Sequence, residues 1–149
     1  MGARILVIED NPANLELMIY LLNAFDHQTI VARDGEAGLE SARRESIDLI
    51  ICDIQMPKID GFEVARRLKA HPALCRIPLI AITAFAMVGD RTRILAAGFD
   101  GYIPKPISPE TFAAQVETFL ESFVSSALRL NVAPDKEQSP TNRNGAETE

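Results

Sequence analysis

Five short apolar runs recur along the chain, separated by longer stretches whose apolar residues have helical spacing. The runs are continuous rather than alternating, which is typical of strands buried on both faces of a parallel sheet. They are Ile5–Ile8, Thr29–Ala32, Leu49–Cys52, Leu79–Ile82 and Tyr102–Ile103. The helical stretches are residues 12–25, 35–45, 61–70, 88–97 and 108–128. This pattern predicts an α/β fold, a doubly wound (βα)5 domain with a five-stranded parallel sheet in the order 2-1-3-4-5.

Turn and cap residues agree with these boundaries. Pro12 fits the first turn of a helix, and Asp34-Gly35 and Asp60-Gly61 fit helix starts. Gly98 fits the end of the fourth helix, where a left-handed residue is common. Ser108-Pro109 predicts an N-cap followed by proline at the first position of the fifth helix.

Composition sets the class of the chain. Its 149 residues are 47% apolar, enough for one core, and the formal charge of −6 argues against nucleic acid as the main partner. No apolar run approaches the roughly 18 residues of a membrane span, and the N-terminus has no signal-peptide pattern, so we expect a cytoplasmic protein. Residues 131–149 are polar and predict a disordered tail after a domain at 1–130.

The two cysteines, Cys52 and Cys75, make neither a disulfide framework nor a zinc pattern. Cys52 lies inside an apolar run, so we expect it to pack as a small hydrophobic residue.

Polar side chains follow several of the predicted strands. Glu9-Asp10 ends the first strand, Asp53 ends the third, Thr83 ends the fourth, and Lys105 follows the fifth. In such sheets the carboxyl ends of the strands form the ligand-binding edge. Three neighbouring carboxylates repel one another unless a cation joins them, and an all-oxygen ligand set favours Mg²⁺. A metal, an ammonium, a hydroxyl and a nucleophilic carboxylate together form the electrostatic arrangement that phosphoryl transfer requires.

The usual phosphate-binding and nucleophile motifs are absent from the sequence. No glycine-rich loop follows the first strand, and no Gly-x-Ser-x-Gly elbow occurs.

The chain resembles the receiver domains of two-component response regulators, the CheY-like superfamily, over about residues 3–125. The motifs that carry the resemblance are Glu9-Asp10, the run from Asp53 to Gly61 (DIQMPKIDG), Thr83-Ala84, Tyr102 and Lys105-Pro106. The intervals between Asp53, Thr83, Tyr102 and Lys105 also fit, at 30, 19 and 3 residues. Many members have Asp-Asp where this chain has Glu9-Asp10.

The resemblance implies a role for each matching residue. Asp53 would accept the phosphoryl group from a phosphohistidine, with no turnover of a separate substrate. Mg²⁺ would be held by Glu9, Asp10, Asp53 and the backbone carbonyl of Gln55. Thr83 and Lys105 would contact phosphoryl oxygens, and the Lys105–Pro106 bond is often cis in the family. A finer similarity, carried by residues 77–90 and 105–108, is to stand-alone regulators of the DivK type, which govern bacterial cell-cycle polarity.

Receivers are two-state switches, and the resemblance implies that Thr83 moves toward the phosphoryl group while Tyr102 rotates. The face made by helix 4, strand 5 and helix 5 would then bind a downstream protein. The expected donors are a sensor histidine kinase or a histidine phosphotransfer protein, and the chain would be a monomer or a weak homodimer. On helix 1 we assign Leu17, Met18, Leu21, Leu22 and Phe25 to the core. Partner-docking candidates are Leu15, Ile19, Phe85, Met87, Val88 and Pro106. For Leu15 and Ile19 the alternative is that helix 1 is deeply buried.

Three other functions are weighed against this one. An Mg²⁺-dependent aspartyl phosphohydrolase usually carries its nucleophile on strand 1 with a second Asp two residues on, unlike Glu9-Asp10. A pseudo-receiver that only docks is expected to lose site residues, whereas this chain keeps all of them. A flavin carrier on a flavodoxin-like fold would need a hydroxyl-rich loop where this chain is acidic.

Overall fold

The computed structural model of the protein describes residues 2–84 and 87–124, with the backbone alone at residue 88. Its strands are β1 (Arg4–Ile8), β2 (Gln28–Ala32), β3 (Leu49–Asp53), β4 (Leu79–Thr83) and β5 (Gly101–Pro104). The helices are α1 (Pro12–Ala24), α2 (Gly35–Arg44), α3 (Gly61–Ala70), α4 (Val88–Ala96) and α5, assigned over residues 112–124.

The five strands form one parallel sheet in the order β2-β1-β3-β4-β5, so the predicted fold class and topology are confirmed. The interior strands β3 and β4 are buried at every position, as their continuous apolar runs predict. Three pairs define the register near the carboxyl edge: Ile8 with Cys52, Asp53 with Ile82, and Thr83 with Pro104. The strand ends that the sequence singled out therefore lie side by side.

Helices α1, α2 and α3 each have a side-chain N-cap. Asn11 accepts a hydrogen bond from the Asn14 amide at 3.0 Å, Asp34 accepts one from the Ala37 amide at 2.8 Å, and Asp60 accepts one from the Glu63 amide at 3.0 Å. Each cap satisfies a backbone N–H that has no partner within its helix.

The predicted start of the fifth helix at residue 108 is four residues early. Residues 109–111 form a turn, in which the Ser108 carbonyl accepts from the amides of Thr111 and Phe112 at 3.2 and 2.9 Å. The i→i+3 hydrogen bond from the Thr111 amide marks a tighter turn before the α-helix begins.

Two predictions about helix α1 are wrong. Leu15, expected outside the core as a docking residue, is only 2% exposed, whereas Phe25, assigned to the core, is 50% exposed. The buried stripe of α1 consists of Leu15, Met18 and Leu22, at i, i+3 and i+7. Phe25 continues that spacing, but it is the C-cap residue, where the helix ends. Ile19 is half-buried, and its docking role stays a prediction.

Contacts within the chain divide it into two units, Met1–Val116 and Glu117–Glu149. The predicted tail at 131–149 lies outside the described residues. Within the described residues, no helix is both long and apolar enough to cross a membrane.

Candidate functional site

Three carboxylates meet at the carboxyl edge of the sheet. Because β1 and β3 are neighbours with Ile8 aligned to Cys52, the residues that follow, Glu9 and Asp53, emerge side by side. One oxygen from each of Glu9, Asp10 and Asp53 lies within 4.8 Å of the others. Glu9 and Asp53 are buried, and Asp10 is more exposed. The sequence prediction that these acids converge is confirmed.

Glu9 is the most perturbed of these acids. Its side chain is fully buried, and its Oε2 accepts a hydrogen bond from the Asn11 amide at 3.1 Å. Its Oε1 has no hydrogen-bond partner among the described residues. Burial, and then the negative charge of Asp53, raise the pKa of Glu9 from 4.5 to about 7. A buried carboxylate oxygen without a partner, next to two further acids, fits a small divalent cation that accepts oxygen ligands.

One carboxylate oxygen of Asp53 contacts two donor groups. Its Oδ1 lies 3.1 Å from the Lys105 ammonium nitrogen and accepts a hydrogen bond from the Gln55 amide at 3.2 Å. Lys105 is partly buried beside the almost fully buried carboxylate, so solvent screens this pair less than a surface ion pair. The two contacts fix the orientation of the Asp53 carboxylate.

Thr83 ends β4 and is buried. Its carbonyl accepts a hydrogen bond from the Lys105 amide at 2.7 Å, which ties the loop after β5 to the end of β4. The Lys105–Pro106 peptide bond is cis, as the family resemblance implied.

The residues proposed for switching and docking lie around this edge. Tyr102 on β5 is partly buried and packs against the core. Met87, at the N-cap of α4, is 76% exposed, and Pro106 is exposed. Phe85 and the Val88 side chain lie outside the described part of the structure. Exposure alone does not establish a docking role, so the roles of Met87 and Pro106 remain predictions.

Two features of the site were not recognised in the sequence. A Cβ at Gly61 would lie 2.7 Å from the Asp53 carbonyl oxygen, so only glycine allows the β3–α3 loop to approach β3 this closely. The Asp-Gly pair was the only signal, and it predicted a helix start. The Arg93 guanidinium lies 4.4 Å from the centroid of the Phe62 ring. No sequence signal marks this contact, because Phe62 and Arg93 are on different helices.

A family model matches residues 5–117, and its description is "Response regulator receiver domain". The chain belongs to this family. The match covers the sheet from Ile5 onward, all five strand ends and the acidic cluster, so the resemblance stated from the motifs is confirmed.

Curated relatives of this receiver include the polar-differentiation response regulator DivK of Brucella anthropi. The two are 42% identical over 120 residues, which is 80% of this chain and 98% of that protein. DivK of Brucella ovis matches to the same extent. The receiver is therefore a DivK-like response regulator in sequence.

Solved structures with the same fold include receiver domains of histidine kinases. One, from Pseudomonas aeruginosa, has a magnesium ion coordinated in its active-site cleft; it is 32% identical with a TM-score of 0.73, over 84% of this chain and 99% of that one. Another, from Syntrophus aciditrophicus, is 33% identical with a TM-score of 0.73, over 81% and 92% of the two chains.

Proposed function

We propose that this receiver accepts a phosphoryl group on Asp53 from a phosphohistidine, with Mg²⁺ as cofactor. The observation that carries the proposal is the cluster of Glu9, Asp10 and Asp53 within 4.8 Å, with the Lys105 ammonium 3.1 Å from Asp53. Glu9, Asp10, Asp53 and the backbone carbonyl of Gln55 would hold the metal. Bound there, Mg²⁺ would supply positive charge for the phosphoryl oxygens.

In the proposed reaction a carboxylate oxygen of Asp53 attacks phosphorus in line with the leaving imidazole nitrogen. The P–N bond breaks, its electron pair stays with the imidazole, and an acyl phosphate forms on Asp53. Lys105 and the Thr83 hydroxyl contact the phosphoryl oxygens, where charge develops in the transition state. Asp53 is already oriented by Lys105 and the Gln55 amide, so little reorganisation accompanies the attack.

The output is a change of protein-binding surface rather than turnover of a substrate. The added phosphoryl group would draw Thr83 toward it, and Tyr102 would rotate into the space that Thr83 leaves. Phosphorylation would thereby alter the face that carries Tyr102 and the exposed Met87. The partners are a sensor histidine kinase or phosphotransfer protein in the bacterial cytoplasm, and a downstream protein. The receiver works as a monomer or weak homodimer in a phosphorelay.

The test is the intact mass after incubation with acetyl phosphate, with and without Mg²⁺. The wild type should gain one phosphoryl group only with Mg²⁺, and Asp53→Asn should gain none. Asp26→Asn is the matched control, because Asp26 lies in the α1–β2 turn and asparagine tolerates its φ of 68°. No gain in the wild type from acetyl phosphate or from a panel of histidine kinases would refute the proposal and favour a docking module.

A further inference from the structure

An open groove lies next to the phosphoacceptor position, between the β3–α3 loop and α4. Its volume is about 490 Å³. One of its lining residues is Ile54, which directly follows Asp53 in the sequence. The other lining residues are Gln55, Met56, Pro57, Asp60, Phe62 and Arg93. A small molecule that delivers a phosphoryl group to Asp53 has space here for its leaving group.

Arg93 is an exposed cation that lines this groove, and its guanidinium lies over an aromatic ring. Its guanidinium lies 4.4 Å from the Phe62 ring centroid, and Phe62 makes an edge-to-face contact with Phe99 at 6.4 Å. No hydrogen bond or ion pair of Arg93 occurs within the described part of the chain. Its planar set of N–H donors is therefore available to a ligand, and this geometry suits carboxylates and phosphates.

Arg93 also borders the Thr83 side of the site. Together with Thr83, Ile54 and Phe62 it lines a second, small cavity of about 20 Å³. Two acids share these surfaces with Arg93: Asp60 lines the groove and Asp90 lines the small cavity. Oδ1 of Asp60 is engaged as the N-cap of α3, at 3.0 Å from the Glu63 amide. Arg93 thus borders both the small cavity that Thr83 lines and the open groove.

We propose that Arg93 is a specificity-determining residue that favours small phosphodonors with an anionic leaving group, namely acyl phosphates. The inference rests on the proposed function of Asp53. With acetyl phosphate, a carboxylate oxygen of Asp53 attacks phosphorus and the P–O bond to the acetyl group breaks. The electron pair leaves with acetate, whose negative charge develops in the transition state. The N–H groups of Arg93 then stabilise the transition state more than they stabilise bound acetyl phosphate.

Phosphoramidate is the matched probe because its leaving group never carries a net negative charge. Its nitrogen carries three protons and a positive charge, which the electron pair of the breaking P–N bond cancels, so neutral ammonia leaves. The contribution of Arg93 should therefore differ between the two donors, whereas the roles of Asp53, Lys105 and Mg²⁺ are common to both.

The experiment measures second-order rate constants of phosphorylation with each donor for the wild type, Arg93→Gln, Arg93→Lys and Arg91→Gln. Arg91 is exposed on the same helix and does not line the groove, so its variant controls for net charge. Arg93→Gln should lose about tenfold with acetyl phosphate, the size of one charge-assisted hydrogen bond, and at most about twofold with phosphoramidate. Arg93→Lys should retain part of the acetyl phosphate rate, because it keeps the charge without the planar donors.

Equal losses with both donors, or the same change in Arg93→Gln and Arg91→Gln, would overturn the assignment. Thermal unfolding of each variant separates a loss of folding from a loss of selectivity. If the wild type accepts a phosphoryl group from neither donor nor from a panel of histidine kinases, the proposed function itself fails. Acceptance from the kinases alone would keep the proposed function and overturn the assignment of Arg93.

Discussion

Glu9 is expected to destabilise the metal-free protein at neutral and alkaline pH. Its carboxyl group is fully buried next to Asp53, and its pKa is raised from 4.5 to about 7. Glu9→Gln keeps the shape and size of the side chain but removes the charge. We therefore expect this variant to be more stable than the wild type when no divalent cation is present.

The magnitude follows from linkage between protonation and folding. The pKa of Glu9 is 4.5 as a free group and about 7 in the folded protein. At 1.36 kcal/mol per pKa unit, this difference corresponds to about 3 kcal/mol of stability. Between these pH values the folded protein binds more protons at Glu9 than the unfolded chain does. Stability contributed by this group is therefore lost as pH rises from about 4.5 to about 7, and the full cost is present above that window.

The assay is urea unfolding of the metal-free wild type and Glu9→Gln at several pH values from 5 to 8.5. The free energy of unfolding of Glu9→Gln should exceed that of the wild type by an amount that grows with pH and levels off at up to about 3 kcal/mol. Any hydrogen bond that the glutamine amide fails to make reduces this difference. Added Mg²⁺ should stabilise the wild type more than the variant, because the cation offsets the buried charge. Glu16→Gln, an exposed change on α1, is the control and should change little. If the free energies of unfolding of the wild type and Glu9→Gln changed with pH in the same way, the reasoning would be refuted.

Three further predictions concern packing. Leu15→Ala should reduce the free energy of unfolding by about 2–5 kcal/mol in chemical denaturation, and clearly more than Ile19→Ala, because Leu15 is in the core; equal losses would contradict this assignment. Burial raises the pKa of the Cys52 thiol far above its usual range, so a thiol reagent should modify the partly exposed Cys75 in the native protein and both cysteines in urea. Gly61→Ala should lower both stability and the phosphorylation rate, because the new Cβ meets backbone atoms; unfolding and acetyl phosphate assays would each show the loss, and an unchanged protein would mean that the loop can move away.

Several features of this protein are determined by local sequence. A strand buried on both faces needs a continuous apolar run, so β3 and β4 were recognised to within one residue. Helix α3 matches its predicted range of 61–70, because an Asp-Gly start and an amphipathic stripe act over a few residues. The acidic cluster could also be predicted, since strand order and strand ends together place Glu9 and Asp53 at one edge.

Other features depend on contacts between distant parts of the chain. Phe25 continues the apolar spacing of the buried stripe on α1, but the helix ends there and Phe25 is exposed, whereas Leu15 is in the core. The complete burial of Glu9, with its raised pKa, depends on neighbours from other elements. The groove, and the contact of the Arg93 guanidinium with the Phe62 ring, bring together residues of α3 and α4 that are far apart in the sequence. Local patterns therefore determined which elements form and what chemistry their ends carry, while tertiary packing decided which side chains are buried and what surrounds the site.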